Sequence, residues 1–251
     1  NLAVDAVNAA MQTRNAQATF GELVARIDGS MPADISTAEQ LLMAEQAVVT
    51  LRQLTKQSWD MTEEAEVANV RETRTADFRK LSQAYVENLR KEAVTAYTDR
   101  RDGGEALASL IGAGESAPLL IDLVADTYRK AVEDAEDARQ TWRQISSFLS
   151  TAERIQDVIP DSLVDASEIQ RAEGAAIALA EVGEKAWLGV SEEEVSAAYA
   201  EMETLLKDLI ASYIAENRAT AVQAYENMED GGSSRDALKS LADSAAMLLA
   251  L

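Results

Sequence analysis

From Glu64 to about Arg101, apolar residues recur at Val67, Val70, Phe78, Leu81, Tyr85, Leu89, Ala93 and Ala96, at steps of three, four or eight. That is the period of a helix with one face on a core. The step of eight passes over Arg74, where the pattern asks for an apolar side chain. Asp102-Gly103-Gly104 then ends this long helix. Upstream, Val4, Val7, Met11, Arg14, Ala18, Phe20, Val24 and Ile27 predict a first helix running to Ile27. A Pro-bearing turn, Gly29 to Asp34, separates it from a second helix spanning about Ser36 to Trp59. Thr62-Glu63-Glu64 opens the long helix, and Ile111-Gly112-Ala113-Gly114-Glu115-Ser116 marks a break after it. Pro118 starts a helix predicted to run unbroken to about Gln156.

The pattern then returns. Asp157 to Ser162 is a second turn, Leu163 to Trp187 a second short helix, and Ser191-Glu192-Glu193-Glu194 an N-cap with an acidic first turn. Ala93-Val94-x-Ala96-Tyr97 and Asp102-Gly103-Gly104 recur as Ala221-Val222-x-Ala224-Tyr225 and Asp230-Gly231-Gly232, at a constant offset in numbering (221 − 93 = 230 − 102 = 128). Sliding residues 1–123 onto 129–251 needs no gap and gives 33 identities. That is about 27 % of positions, against roughly 8 % by chance for such an Ala-rich chain. Matches include Phe20 with Phe148, Pro32 with Pro160, Ala44-Glu45 with Ala172-Glu173, and Trp59 with Trp187.

The predicted fold is therefore all-α: six helices, two of them long, forming two stacked four-helix bundles from a tandem 128-residue repeat. Residues 1–128 are the first repeat and 129–251 the second, together one bimodular domain. Both termini fall at one end, and residues 112–130 are left over as a cap.

Charge narrows the partners. With 23 basic and 44 acidic residues the net charge is −21, which disfavours nucleic acid and anionic membrane surfaces. The chain has no Cys and no His, which removes the usual zinc ligands, thiol chemistry and the His general base. No nucleophile–base pair or metal set stands out, so neither an enzyme nor a cofactor is expected. No apolar run reaches the ~18 residues of a membrane span. The pattern begins and stops inside helices at Asn1 and Leu251, as a segment of a longer protein would.

The candidate site lies where charge interrupts the apolar stripes. Rise per residue puts Arg14 of the first helix level with Arg71 and Arg74 of the long one, with Thr50 and Gln53 of the second helix passing the same height. Such a layer would pair a small carboxylate bidentately. Arginines on helices also snorkel or pair with neighbouring carboxylates, the structural alternative. In the second repeat Arg14, Arg71 and Arg74 become Trp142, Tyr199 and Met202, an aromatic and thioether layer.

Tandem helical modules, each with two short helices before a long one, resemble the helical bimodular (HBM) sensor domains of bacterial chemoreceptors and sensor kinases. That family's first helix tends to end in Arg-x-x-Arg-x-x-aromatic. Here Arg14-Asn15-Ala16-Gln17-Ala18-Thr19-Phe20 keeps the first Arg and the aromatic, with Gln17 in place of the second Arg. The resemblance implies an extracytoplasmic (periplasmic) domain of an inner-membrane chemotaxis receptor or sensor kinase, between flanking transmembrane helices. It would bind a small organic acid, through Arg14, Gln17, Gln53, Arg71 and Arg74 or near Trp142 and Tyr199. It would signal through its long helices, and a homodimer fits the same picture. The competing expectation is a helical-repeat spacer or adhesin-like interaction module with no small ligand.

Overall fold

The computed structural model describes residues 2–56, 59 and 64–251. Among these the protein is all-helical, with ten helices and no strand. They are α1 (Leu2–Ser30), α2 (Ala38–Lys56), α3 (Glu64–Thr98), α4 (Gly104–Ser116), α5 (Pro118–Asp122), α6 (Ala125–Val158), α7 (Ala166–Glu184), α8 (Glu192–Glu226), α9 (Gly232–Ser244) and α10 (Ala246–Ala250). The helices α7, α8, α9 and α10 each begin and end one repeat length after α2, α3, α4 and α5 (166 − 38 = 184 − 56 = 128).

The chain divides into two compact units, Asn1–Gln140 and Thr141–Leu251, the boundary falling within α6. In the first unit α1 packs on α2, α3 pairs with α4, and α5 seats against α2, α3 and α4. Phe20, Ile27, Leu41, Leu51, Leu54, Phe78 and Val86 form its interior. In the second unit α7 packs on α8, α8 pairs with α9, and α10 seats against all three. Phe148 and Ile155, from the C-terminal half of α6, join Leu179, Leu206, Ile210 and Leu248 in its core.

Local chemistry explains most boundaries. Ser191 accepts the Glu194 N–H at 3.1 Å while the Glu194 carboxylate accepts the Ser191 N–H at 3.0 Å. This reciprocal cap starts α8 where the sequence placed it. Thr37 and Gln40 cap α2 in the same way. Thr62-Glu63, expected to open α3, lies outside the described residues. Both α2 and α7 stop short of their tryptophans, and each indole turns back to the last turn of its helix. Trp59 Nε1 donates to the Leu54 carbonyl at 2.9 Å, and Trp187 Nε1 to the Val182 carbonyl at 3.2 Å. Each ring also meets a phenylalanine edge-on, Phe20 at 5.3 Å and Phe148 at 5.4 Å between centroids.

Three expectations are corrected. The long helix stops at Thr98 rather than Arg101 because Arg100 turns left-handed (φ 60°). Arg101 N–H reaches the Ala96 carbonyl at 2.8 Å and Arg100 N–H the Tyr97 carbonyl at 3.1 Å, closing the last turn. Met228 does the same for α8, also at φ 60°. The Gly103-Gly104 pair serves the next step, the close return of α4 onto α3. A Cβ on Gly103 would lie 2.7 Å from the Ala93 carbonyl and 3.1 Å from the Tyr97 ring. Gly231 stands 2.9 Å from the Ala221 carbonyl and 3.1 Å from Tyr225 in the same sense. The repeated Ala–Tyr–Gly spacing is thus a helix-reversal motif.

Second, residues 111–116 are not a break but the end of α4. Gly114 leaves room for the Tyr128 hydroxyl, which donates to the Ile111 carbonyl at 3.2 Å. Third, the helix begun at Pro118 is interrupted at Leu123-Val124, and the Leu123 carbonyl freed there accepts Arg79 Nε at 3.3 Å. Among the described residues ten helices therefore replace the six expected, and the span 112–130 assigned to a cap holds the end of α4, all of α5 and the first turn of α6.

Candidate ligand site

Arg74 is the one candidate arginine that the fold draws inward. It sits on α3 with its side chain 27 % exposed, and each of its three guanidinium nitrogens meets a carboxylate. Nε lies 2.7 Å from Asp28 Oδ1, Nη2 donates to Asp28 Oδ2 at 3.0 Å, and Nη1 meets Asp77 Oδ2 at 3.2 Å. The two-pronged face that would take a ligand carboxylate already holds one from α1. In the second unit all three members change: Asp28 becomes Gln156, Arg74 becomes Met202 and Asp77 becomes Leu205. Met202 is buried, so an apolar contact stands where the ion pair stood.

The other residues of the expected layer lie elsewhere. Arg14 and Gln17 on α1, Gln53 on α2 and Arg71 on α3 are all exposed. Thr50 is buried, but its hydroxyl donates to the Gln46 carbonyl of its own helix at 2.9 Å. The pairing of Arg74 with Asp28 sets its height on α1. Arg14 is 28 − 14 = 14 positions away along that helix, or about 21 Å at 1.5 Å per residue. One small acid does not span that. The height estimate failed because α2 has 19 residues against 29 in α1. The descent along α2 is therefore about 15 Å shorter than the ascent. The first turns of α1 project beyond it, and the stripe that Phe20 and Ile27 bury has no core to face as far down as Arg14.

In the second unit Trp142 and Tyr199 are both half-buried. Tyr199 lines an open groove of about 860 Å³ with Gly183, Lys185, Trp187, Glu192, Val195 and Ser196; Trp142 is not among its walls. Lys185 Nζ lies 3.9 Å from the centroid of the Trp187 ring, over its face. A second groove of about 540 Å³ between the 159–164 turn and α8 carries Asp161, Asp208 and Glu216 with no cation, so it repels acids. Among the described residues no group of three or more Asp or Glu is placed to hold a metal. No described helix is long and apolar enough to cross a membrane.

Sequence reasoning passed over a polar contact that each unit makes once. Glu45, buried on α2, accepts the Leu119 N–H at 3.1 Å and the Leu120 N–H at 2.8 Å. Glu173 on α7 accepts from Met247 at 3.0 Å and Leu248 at 2.8 Å. Each carboxylate satisfies the open N–H groups that start a five-residue helix. The signal was present as the Ala44-Glu45 and Ala172-Glu173 identity. For Asp28 there was none, since its counterpart is Gln156.

The chain was compared with known protein families, curated proteins and solved structures, and none of the three comparisons returns a match.

Proposed function

We propose that the chain is a spacing element of a larger protein, built from two copies of one helical module in tandem, and that it takes no small organic acid. The observation that carries this reading is the Arg74 cluster. Its charge is spent on Asp28 and Asp77, and the second copy replaces the whole set by Met202, Gln156 and Leu205. A ligand site would keep its cation open; an internal ion pair is exchanged as a unit. The identities that do persist between the copies make architectural contacts: Phe20 with Trp59, Glu45 on α5, and Tyr97 on Gly103. Single-molecule stretching between the chain ends tests the reading. A spacer holds its length and then yields in two steps of similar contour length. A single gradual extension overturns it.

A second reading retains the extracytoplasmic sensor, favoured by one feature, the groove in which Lys185 lies against Trp187 beside Tyr199. Calorimetric titration with acetate, malate and citrate separates the two. The spacer reading expects no heat of binding up to about 10 mM, equivalent to less than ~3 kcal/mol. Saturable binding that Lys185→Ala removes selects the sensor instead.

A further inference from the structure

We propose that the groove between the end of α7 and the start of α8 is a seat for a small organic cation of the quaternary ammonium class. Its walls come from both helices and the turn that joins them: Gly183 and Glu184 on α7, Trp187 in the turn, Glu192 and Tyr199 on α8. Trp187 is fixed by its bond to the Val182 carbonyl and its edge contact with Phe148. A Cβ on Gly183 would stand 3.2 Å from two ring carbons of Tyr199, so the glycine lets that ring close onto α7.

The molecule itself shows what the indole attracts. Lys185 Nζ lies over the Trp187 ring, 3.9 Å from its centroid, although the Glu184 and Glu192 carboxylates line the same groove. Among the described residues Lys185 forms no ion pair with either. The chain's own ammonium thus marks the place where a ligand cation would sit.

The charge around the rings selects the sign. α7 has no basic residue in its last turn, so the negative end of its dipole is left for Lys185 or a ligand to answer. The positive end of α8 is already answered by Glu192, Glu193 and Glu194 in its first turn. A quaternary ammonium suits such a groove because its methyl groups need no hydrogen-bond acceptor and lie well on aromatic faces. A metal ion does not, since among the described residues no group of three acidic side chains is placed to hold one.

The first repeat lacks these features. There Ala180, Gly183, Lys185 and Tyr199 are replaced by Arg52, Thr55, Gln57 and Arg71. Trp59 persists and keeps its bond to the Leu54 carbonyl. The tryptophan is therefore shared framework, and the cation seat belongs to the second unit. The proposal is independent of the spacer reading, which excludes organic acids, ligands of the opposite sign.

Titration of the whole chain with tetramethylammonium chloride, against sodium chloride at matched ionic strength, tests it. The ligand's methyl protons are followed by NMR, because the ring current of an indole shifts protons over its face upfield. The expected result is a saturable upfield shift. Lys185→Ala vacates the ring and should tighten binding by about threefold or more. Lys207→Ala, which removes the same charge farther along α8, should leave binding unchanged. Tyr199→Arg, which installs the first-repeat residue, should abolish the shift, with helical content checked by circular dichroism. Glu192→Gln, at an exposed position, should weaken binding without touching the core. Three results overturn the proposal. Neither the wild type nor Lys185→Ala gives a saturable shift; or Lys185→Ala weakens binding; or binding survives both Tyr199→Arg and Glu192→Gln unchanged, which means only diffuse attraction to the net charge of −21.

Discussion

Tyr97 and Tyr225 are equivalent residues of the two repeats, each with its ring against the glycine just before the next helix. Tyr97 is 2 % exposed and Tyr225 51 %. The backbone around them is the same, down to the left-handed residue three positions on. What differs is the neighbourhood: the first turns of α6 reach α3 and α4 through Asp134 and Tyr128, whereas α6 meets α8 near Met202 and Leu206, away from Tyr225. Inside each unit the framework repeats closely, and the two units differ in how far the α3 and α8 surfaces around these tyrosines are covered among the described residues. Burial of these two residues therefore differs with their surroundings, since residue type and position in the repeat are the same.

That contrast can be broken by paired substitutions. Tyr97→Ala empties a sealed site and should cost about 3–5 kcal/mol, the range for large aromatics. Tyr225→Ala removes a side chain already half in water and should cost about 1 kcal/mol. Denaturant unfolding measures both, and equal losses would mean that Tyr225 is covered in solution.

The framework itself predicts symmetry. Glu45→Ala and Glu173→Ala each leave two N–H groups unpaired at the start of a short helix. Each should lose about 1–3 kcal/mol per buried group left open. Glu45→Ala should lose the larger amount, because Leu120 N–H is the more deeply buried of the two clamped sites. A smaller gain is expected at the helix ends. Met228 holds φ 60° with its side chain in solvent, so Met228→Gly relieves left-handed strain and loses no packing. A rise of about 1 kcal/mol is expected, read as a higher melting temperature.

One difference between the copies is tuned by pH. Thr37 caps α2, whereas Asp165 caps α7, accepting from Glu168 N–H at 3.1 Å and Ser167 N–H at 2.8 Å. The Glu168 N–H first, then Ser167, holds the Asp165 carboxyl below its ordinary 3.8. A lowered folded value means that the cap's contribution is complete above the unfolded value, about 3.9, and fades as pH falls through the folded one. Melting temperatures of wild type and Asp165→Ala should therefore differ at pH 6 and converge toward pH 2. A gap that persists at pH 2 would mean the charge is not the cause.

Much of this framework was legible in the chain. Periodicity gave the long helices because each spans many turns with one face on a core. The repeat located the tryptophans and the Gly-Gly reversals because side-chain identity survives where backbones approach closely. Elements whose shape is decided by contact were hidden. Gly112 and Gly114 read as a break by local propensity, but both lie within α4, where Gly114 packs against Tyr128. The interruption at Leu123-Val124 has no Gly or Pro to mark it. For the candidate site, Arg74 stood out in the sequence as a charge on an apolar stripe. Its partner Asp28 was not, because an ion pair between two helices leaves no trace in the spacing of either one.

Hydrogen exchange at two amides tests most directly whether one framework is used twice. The N–H groups of Leu120 and Leu248, one repeat apart in the chain, are each held by a carboxylate at 2.8 Å. Both should be protected in the wild type. Glu45→Ala should release Leu120 and leave Leu248 protected, and Glu173→Ala should do the reverse. If either amide exchanges freely in the wild type, or one substitution releases both, the units do not share the framework described.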